Sequence, residues 1–266
     1  MLNKKLENLD NILKELKSFV VAFSGGVDST FLLHRATQIK KLKITAITIK
    51  TPYIPKREID EAVDFCKTHG ISHVILDIIP PEEIIYNPLD RCYLCKKLLF
   101  SHIKSFAEKN NYLHVVDGTN ADDNGDFRPG LKALEEMRIR SPLMESGLIK
   151  HEIRELSQRA DLPTWDKPAY ACLLTRIPYD TKITEKDLRM VENAEQFLFE
   201  KGFPGTRVRI HGDVARIECM PGYLNKIILE PNRDHIIDNL KKIGFRYISL
   251  DLEGYRTGSL NPEKIK

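Results

Sequence analysis

The chain has 266 residues, 42% hydrophobic and 30% charged, and its 41 basic and 38 acidic side chains leave a net charge of +3. That length suits two domains better than one, and no apolar run approaches the roughly 20 residues of a membrane span. Near-neutral charge permits an anionic substrate without calling for nucleic acid, and the acid-containing amphipathic start MLNKKLENLDNILKELK is unlike a secretion signal, so a cytoplasmic protein is expected.

Leu2, Leu6, Leu9, Ile12, Leu13 and Leu16 recur at three- and four-residue steps and predict a helix with one apolar face. Phe19 to Phe23 predicts a buried strand, which stops at Ser24-Gly25-Gly26-Val27-Asp28-Ser29 before Phe31, Leu32 and Leu33 take up helical spacing. Strand, glycine turn and helix start together make a phosphate cradle. Adjacent glycines let the backbone approach a ligand, and a helix N-terminus offers unpaired N–H groups and a favourable dipole. A plain helix cap is the blander reading of the same residues, and the spacing and lysine of a Walker A loop are absent. Lys43 to Ile49 predicts a second strand, Lys56 to Lys67 a helix and His73 to Ile78 a third strand, the alternation of a parallel α/β sheet. Ligands of such sheets lie at the carboxyl ends of the strands, where the Ser24 loop falls.

From Pro80 to Cys95 the pattern reads as a loop, with Cys92 and Cys95 at the mouth of a helix over Lys96 to Lys109. The helix dipole and Arg91, Lys96 and Lys97 favour thiolate there, so the pair is poised to bind a soft metal or react. Five cysteines without a secretory signal fit metal binding or catalysis better than disulfides. Cys66, beside Ala62 and Val63, and Cys219 are expected to be small core residues. Leu113 to Val116 predicts a fourth strand, followed by the turn Asp117 to Asp123 and a loop carrying Arg128, Pro129 and Gly130. Leu131 to Met137 and Lys150 to Ala160 read as helices. Pro163 to Thr184 has no sustained period, and a loop so long is functional or a linker; it holds Cys172 and Arg176.

Glu185 to Lys201 predicts a helix, Arg207 to Ile210 and Val214 to Cys219 a hairpin turning at His211-Gly212-Asp213, and Arg233 to Ile243 and Tyr247 to Asp251 a final helix and strand. The expected divisions are an α/β domain over 1–165, a linker over 166–184 and a small α+β domain over 185–266. Alternation puts Arg207 and Arg209 on one face, which suits forked hydrogen bonds to a phosphate or, more simply, a solvated polar surface.

SGGVDS resembles the signature of the PP-loop ATP pyrophosphatases. The resemblance implies that Ser24, Gly25, Gly26 and Ser29 hold the phosphates of ATP, that Asp28 helps place Mg²⁺, and that Gly118 and Thr119 lie beside the nucleotide. Asp122 and Asp123 are either further Mg²⁺ groups or helix caps. Taken with NPLDRCYLCK, GTNADDNGDFRPG, KPAYACLLTRIPY and RVRIHGDVARIE, the chain resembles the LarE family of ATP-dependent sulfurtransferases. That implies adenylation of a carboxylate of pyridinium-3,5-biscarboxylic acid mononucleotide, displacement of AMP by sulfur from sulfide or another donor, and a place in nickel-pincer nucleotide biosynthesis. By resemblance, Cys172 is the catalytic cysteine, Cys92, Cys95 and Cys172 hold a [4Fe-4S] cluster, and Arg176, Glu195, Arg207 and Arg209 bind substrate in a homo-oligomer. Three readings stay open beside it: sacrifice of the Cys172 sulfur without a cluster, zinc on the three cysteines with His102, and a tRNA-thiolating PP-loop enzyme. An ammonia-using ligase shares the loop but has no use for three cysteines.

Overall fold

The structure, a computed structural model, describes residues 1–125, 129–168, 171–256 and 258–260; Arg128 lies outside them. The chain divides into two units, Met1–Glu82 with Asp90–Lys167, and Glu83–Leu89 with Pro168–Lys266.

The first unit runs α1 (Leu2–Leu16), β1 (Ser18–Ala22), α2 (Val27–Thr37), β2 (Lys43–Lys50), α3 (Lys56–Thr68), β3 (His73–Asp77), α4 (Arg91–Lys109), β4 (His114–Val116), α5 (Pro129–Glu136), α6 (Pro142–Glu145) and α7 (Lys150–Arg159). Its four strands are all parallel, in the order β3-β2-β1-β4. Strand β1 is central, so both of its faces are covered. Phe19 and Val21 pack with Leu9, Leu13 and Leu16 of α1 and with Phe31 and Leu32 of α2, while Val20 points the other way, to Ile47, Phe100, Ile103 and Val115. Burial of each such side chain contributes about 1.5–3 kcal/mol. The order reverses between β1 and β4, and the carboxyl ends at that point carry the Ser24 loop and the Asp117 turn.

Helix α4 begins at Arg91 rather than at the expected Lys96, so Cys92 and Cys95 sit inside its first turns and not in a loop. The last helix-breaking residue is Pro88, and the Asp90 carbonyl already accepts the Tyr93 and Leu94 N–H groups.

The second unit contains α8 (Glu185–Glu200), β5 (Arg207–His211), β6 (Val214–Glu218), α9 (Leu224–Ile228), α10 (Asn232–Ile243) and β7 (Tyr247–Leu250). Strands β5 and β6 pair antiparallel around Gly212, whose φ of +58° permits the two-residue turn, and β7 joins β6 in parallel after the helical crossover. Val208, Ile210, Ala215 and Ile217 are buried, as are Leu188, Val191, Ala194 and Leu198 of α8, which packs on β5.

Candidate functional site

The glycine cradle is shaped by three close approaches. Gly25 has φ +68°, and a Cβ there would stand 3.3 Å from Ala62 Cβ. Gly26, at the N-cap of α2, donates its N–H to Ser24 Oγ at 3.4 Å, and the hydroxyls of Ser24 and Ser29 are 3.2 Å apart. Gly118, at the end of β4, comes so near α2 that a Cβ would meet the Ser29 backbone nitrogen at 2.9 Å. Gly118 is therefore beside the loop. Thr119 turns away to an anchor: its hydroxyl and N–H both donate to Asp117, at 2.5 and 3.2 Å, and Ser141 donates to the same carboxylate at 2.6 Å.

Asp28, in the first turn of α2, accepts a hydrogen bond at Oδ2 from Lys150 Nζ, while its Oδ1 is buried and has no hydrogen-bond partner among the described residues. Burial pushes this carboxyl above its ordinary value, and the Lys150 charge and hydrogen bond only partly offset that. A second lysine, Lys167, donates to the Gly25 carbonyl at 2.9 Å and to Glu61 at 2.5 Å. The loop has no lysine of its own, and these two come from 122 and 142 residues away, a separation that no local motif signals. Asp122 accepts the Lys150 N–H at the start of α7, and Asp123 the Asn120 N–H, so both aspartates order backbone. An orphaned carboxylate oxygen beside a glycine cradle fits a hard cation with phosphate oxygens.

Cys92 is exposed and Cys95 half-buried, with the Tyr53 hydroxyl 2.9 Å from its Sγ. Burial raises the Cys95 thiol above its usual value, with the Tyr53 hydrogen bond and Lys96 opposing. The expected drift toward thiolate is thus overturned at Cys95. The physical reason is desolvation, and Lys97 is engaged by Tyr93 and Glu136. The two thiols, three residues apart on one helix face, remain a soft donor pair. Cys66 is 1% exposed and burial pushes its thiol up to about 12; Cys219 is 0% exposed and also raised by burial. Among the described residues, no group of three or more His, Cys, Asp or Glu side chains is arranged to hold a metal ion.

In the second unit, Cys172 caps a short 3₁₀ turn, Leu173–Arg176. Its carbonyl accepts from the Thr175 N–H and hydroxyl, at 3.1 and 3.0 Å, and from Arg176 at 3.3 Å. Arg176 is buried. It forks onto Glu195 with two 2.8 Å bonds and also donates to the Ala171 carbonyl at 2.8 Å. Burial alone would raise Glu195, but Arg176, Arg207 and the Val208 N–H together hold it below the usual carboxylate range. Arg207 and Arg209 do share a face of β5, but that face is buried and not solvated: they are 2% and 5% exposed. Arg207 stacks over the Tyr255 ring at 5.3 Å, and Arg209 donates to the Thr175 carbonyl at 2.6 Å and to Glu218 at 2.8 Å. Glu218 also accepts from Arg216 and Ser259, each at 2.9 Å. Burial pushes its carboxyl up, and these donors more than reverse the effect.

A parallel sheet of this order, with SGGVDS at its switch point, is a PP-loop α/β domain. No family profile matches the chain. It is 38% identical over 263 residues to an uncharacterised protein of Synechocystis sp., covering 98% of both chains. Against an uncharacterised Methanocaldococcus jannaschii protein the identity is 38% over 257 residues, 96% of this chain and 98% of the other. Against pyridinium-3,5-bisthiocarboxylic acid mononucleotide synthase of Lactiplantibacillus plantarum it is 35% over 257 residues, 96% and 92% of the two chains. The chain belongs to the LarE family of PP-loop proteins.

Proposed function

We propose that this chain uses ATP to activate a carboxylate of pyridinium-3,5-biscarboxylic acid mononucleotide and exchanges the activated oxygen for sulfur. The observation that carries the ATP half of this reading is Asp28, whose buried Oδ1 has no partner among the described residues and stands beside the glycine cradle of Ser24, Gly25, Gly26, Ser29 and Gly118; the substrate follows from the likeness to the Lactiplantibacillus plantarum synthase. In this reading Asp28 would hold Mg²⁺, which would supply Lewis-acid stabilisation of charge on the phosphoryl group. The substrate carboxylate attacks the α-phosphorus, and the bond to the bridging oxygen breaks to release pyrophosphate. Charge grows on the phosphoryl oxygens, where the N-terminal N–H groups of α2 and Lys150 act. The adenylated carboxyl carbon is then open to a sulfur nucleophile, and AMP leaves with the electron pair of the broken C–O bond.

Cys172 is the residue assigned to the sulfur step, its carbonyl accepting from Arg176, which Glu195 in turn holds by its guanidinium. By the family resemblance, and not from any three-ligand group among the described residues, Cys92, Cys95 and Cys172 would hold a [4Fe-4S] cluster, which would supply a carrier for sulfide. By the family resemblance Arg207 and Arg209 would take the substrate phosphate, which would have to compete with Glu218 and the Thr175 carbonyl for the donors of the buried Arg209.

The test is incubation with ATP, Mg²⁺, sulfide and the pyridinium dicarboxylate nucleotide, read by mass spectrometry. Exchange of one oxygen for sulfur, with AMP and pyrophosphate in equal amounts, supports the reading. Sulfur recovered in added tRNA, with no nucleotide product, would refute it. Anaerobic purification separates the sulfur sources: iron lost on replacing any of the three cysteines supports the cluster, whereas colourless protein whose Cys172 becomes dehydroalanine supports sacrifice.

A further inference from the structure

The segment Glu83–Leu89 belongs to the second unit although the residues on either side belong to the first. At its centre is Asn87, which is 0% exposed. Its φ is +54°, in the left-handed region that few side chains other than asparagine tolerate. Nδ2 donates to the carbonyls of Leu174, Ile177 and Pro178, at 3.2, 2.8 and 3.0 Å. The Asn87 carbonyl also accepts the Asp180 N–H at 3.3 Å, and Ile85 accepts that of Ile183 at 2.8 Å.

These acceptors lie in and just after the 3₁₀ turn that Cys172 opens. A 3₁₀ turn has poor internal hydrogen-bond geometry, and buried carbonyls need donors. Arg176 and Thr175 grip the turn at the Cys172 carbonyl, and Asn87 grips it from the other end. Leu173 and Leu174, at 0% and 2% exposure, are the apolar weight between the two grips. A buried, left-handed asparagine that spends one amide on three carbonyls in and just after one turn is more than a loop residue needs to be.

We propose that Asn87 is a positioning residue for Cys172, fixing the turn so that the sulfur is presented from one backbone geometry. The proposal rests on Cys172 being the sulfur-handling cysteine, but its test does not. Asn87→Gly keeps the left-handed backbone and deletes the amide, while Asn87→Asp keeps the shape and turns an oxygen toward the three carbonyls. In each, the rate at which iodoacetamide alkylates Cys172 is measured by peptide mass, with exposed Cys92 in the same molecule as reference. Loss of about one net hydrogen bond corresponds to roughly a fivefold change. The Cys172 rate is therefore expected to rise about fivefold in Asn87→Gly and more in Asn87→Asp, with Cys92 unchanged. An unchanged ratio of the two rates, even with a lowered melting temperature, overturns the proposal.

Hydrogen exchange on the unsubstituted protein reads the same turn without a variant. Thr175 and Ile177 amides as protected as the buried face of α8 support a pinned turn, and exchange at loop rates overturns it. An altered Cys172 ratio in a protein that transfers no sulfur would uphold the positioning and refute the function. Sulfur transfer with an unaltered ratio would do the reverse.

Discussion

Gly118 stands so close to Ser29 that a methyl group on it would meet the Ser29 amide nitrogen at 2.9 Å. That nitrogen belongs to the first turn of α2, where backbone donors point away from the helix. A side chain at 118 would therefore push on the backbone that forms the cradle. Gly118→Ala is expected to weaken ATP binding by about 5- to 150-fold, from an overpacking cost of about 1–3 kcal/mol. Gly222→Ala, with no atom of the described residues within 4 Å of the added carbon, is the control. Titration calorimetry reads both, and equal affinities would remove Gly118 from the site.

Asp28 predicts a stability gain at the expense of binding. Its folded pKa lies above the unfolded value, so ionising it costs the fold stability: the cost is absent below the unfolded pKa and complete once the pH has risen through the folded one. Asn carries no such cost. Asp28→Asn is expected to raise the melting temperature at neutral pH while losing Mg²⁺-dependent ATP binding. A lowered melting temperature at neutral pH would contradict this.

Glu218 has the opposite sign. Its folded pKa lies below the unfolded value, so its stabilisation is full above the ordinary carboxylate range and is lost as pH falls through the folded pKa. Glu218→Gln leaves Arg209 buried without its counter-charge, at a cost of about 3–5 kcal/mol at neutral pH. Urea unfolding of both proteins at neutral and strongly acidic pH should show the gap closing in acid. A gap that stays constant would mean the pair is not what Glu218 contributes.

The cysteines are expected to separate kinetically. With burial pushing its thiol up to about 12, Cys66 stays protonated at pH 8 and, being 1% exposed, unreactive until the protein unfolds. Exposed Cys92 should account for the fast phase of thiol titration with a chromogenic disulfide. Cys92→Ser should abolish that phase, and its survival would move the reactive thiol elsewhere.

Local pattern made the first unit readable. The apolar run of β1, the glycine pair and the spacing of α2 are all contiguous, and Cys66 and Cys219 are core residues as their apolar surroundings implied. The environment of the arginines was not readable, because it depends on partners far along the chain. Arg209 is buried because Glu218 stands across the β5–β6 pair, and Arg207 because Tyr255 returns over it. Likewise, thiolate-favouring neighbours at Cys95 were visible in sequence while the desolvation that outweighs them was not. Asn87 gave no signal at all, since a left-handed asparagine before a proline reads as an ordinary turn.

Because Glu83–Leu89 is claimed by the later unit, no single cut in the chain separates the two. A fragment ending at Lys167 would leave the Asn87 amide facing none of its acceptors, and one beginning at Pro168 would lack the donor for Leu174, Ile177 and Pro178. Synthesis imposes the same dependence in time. Asn87 emerges from the ribosome well before Leu174, so this stretch must stay uncommitted while the strands around it close, and the Cys172 turn takes shape only after most of the chain has been made.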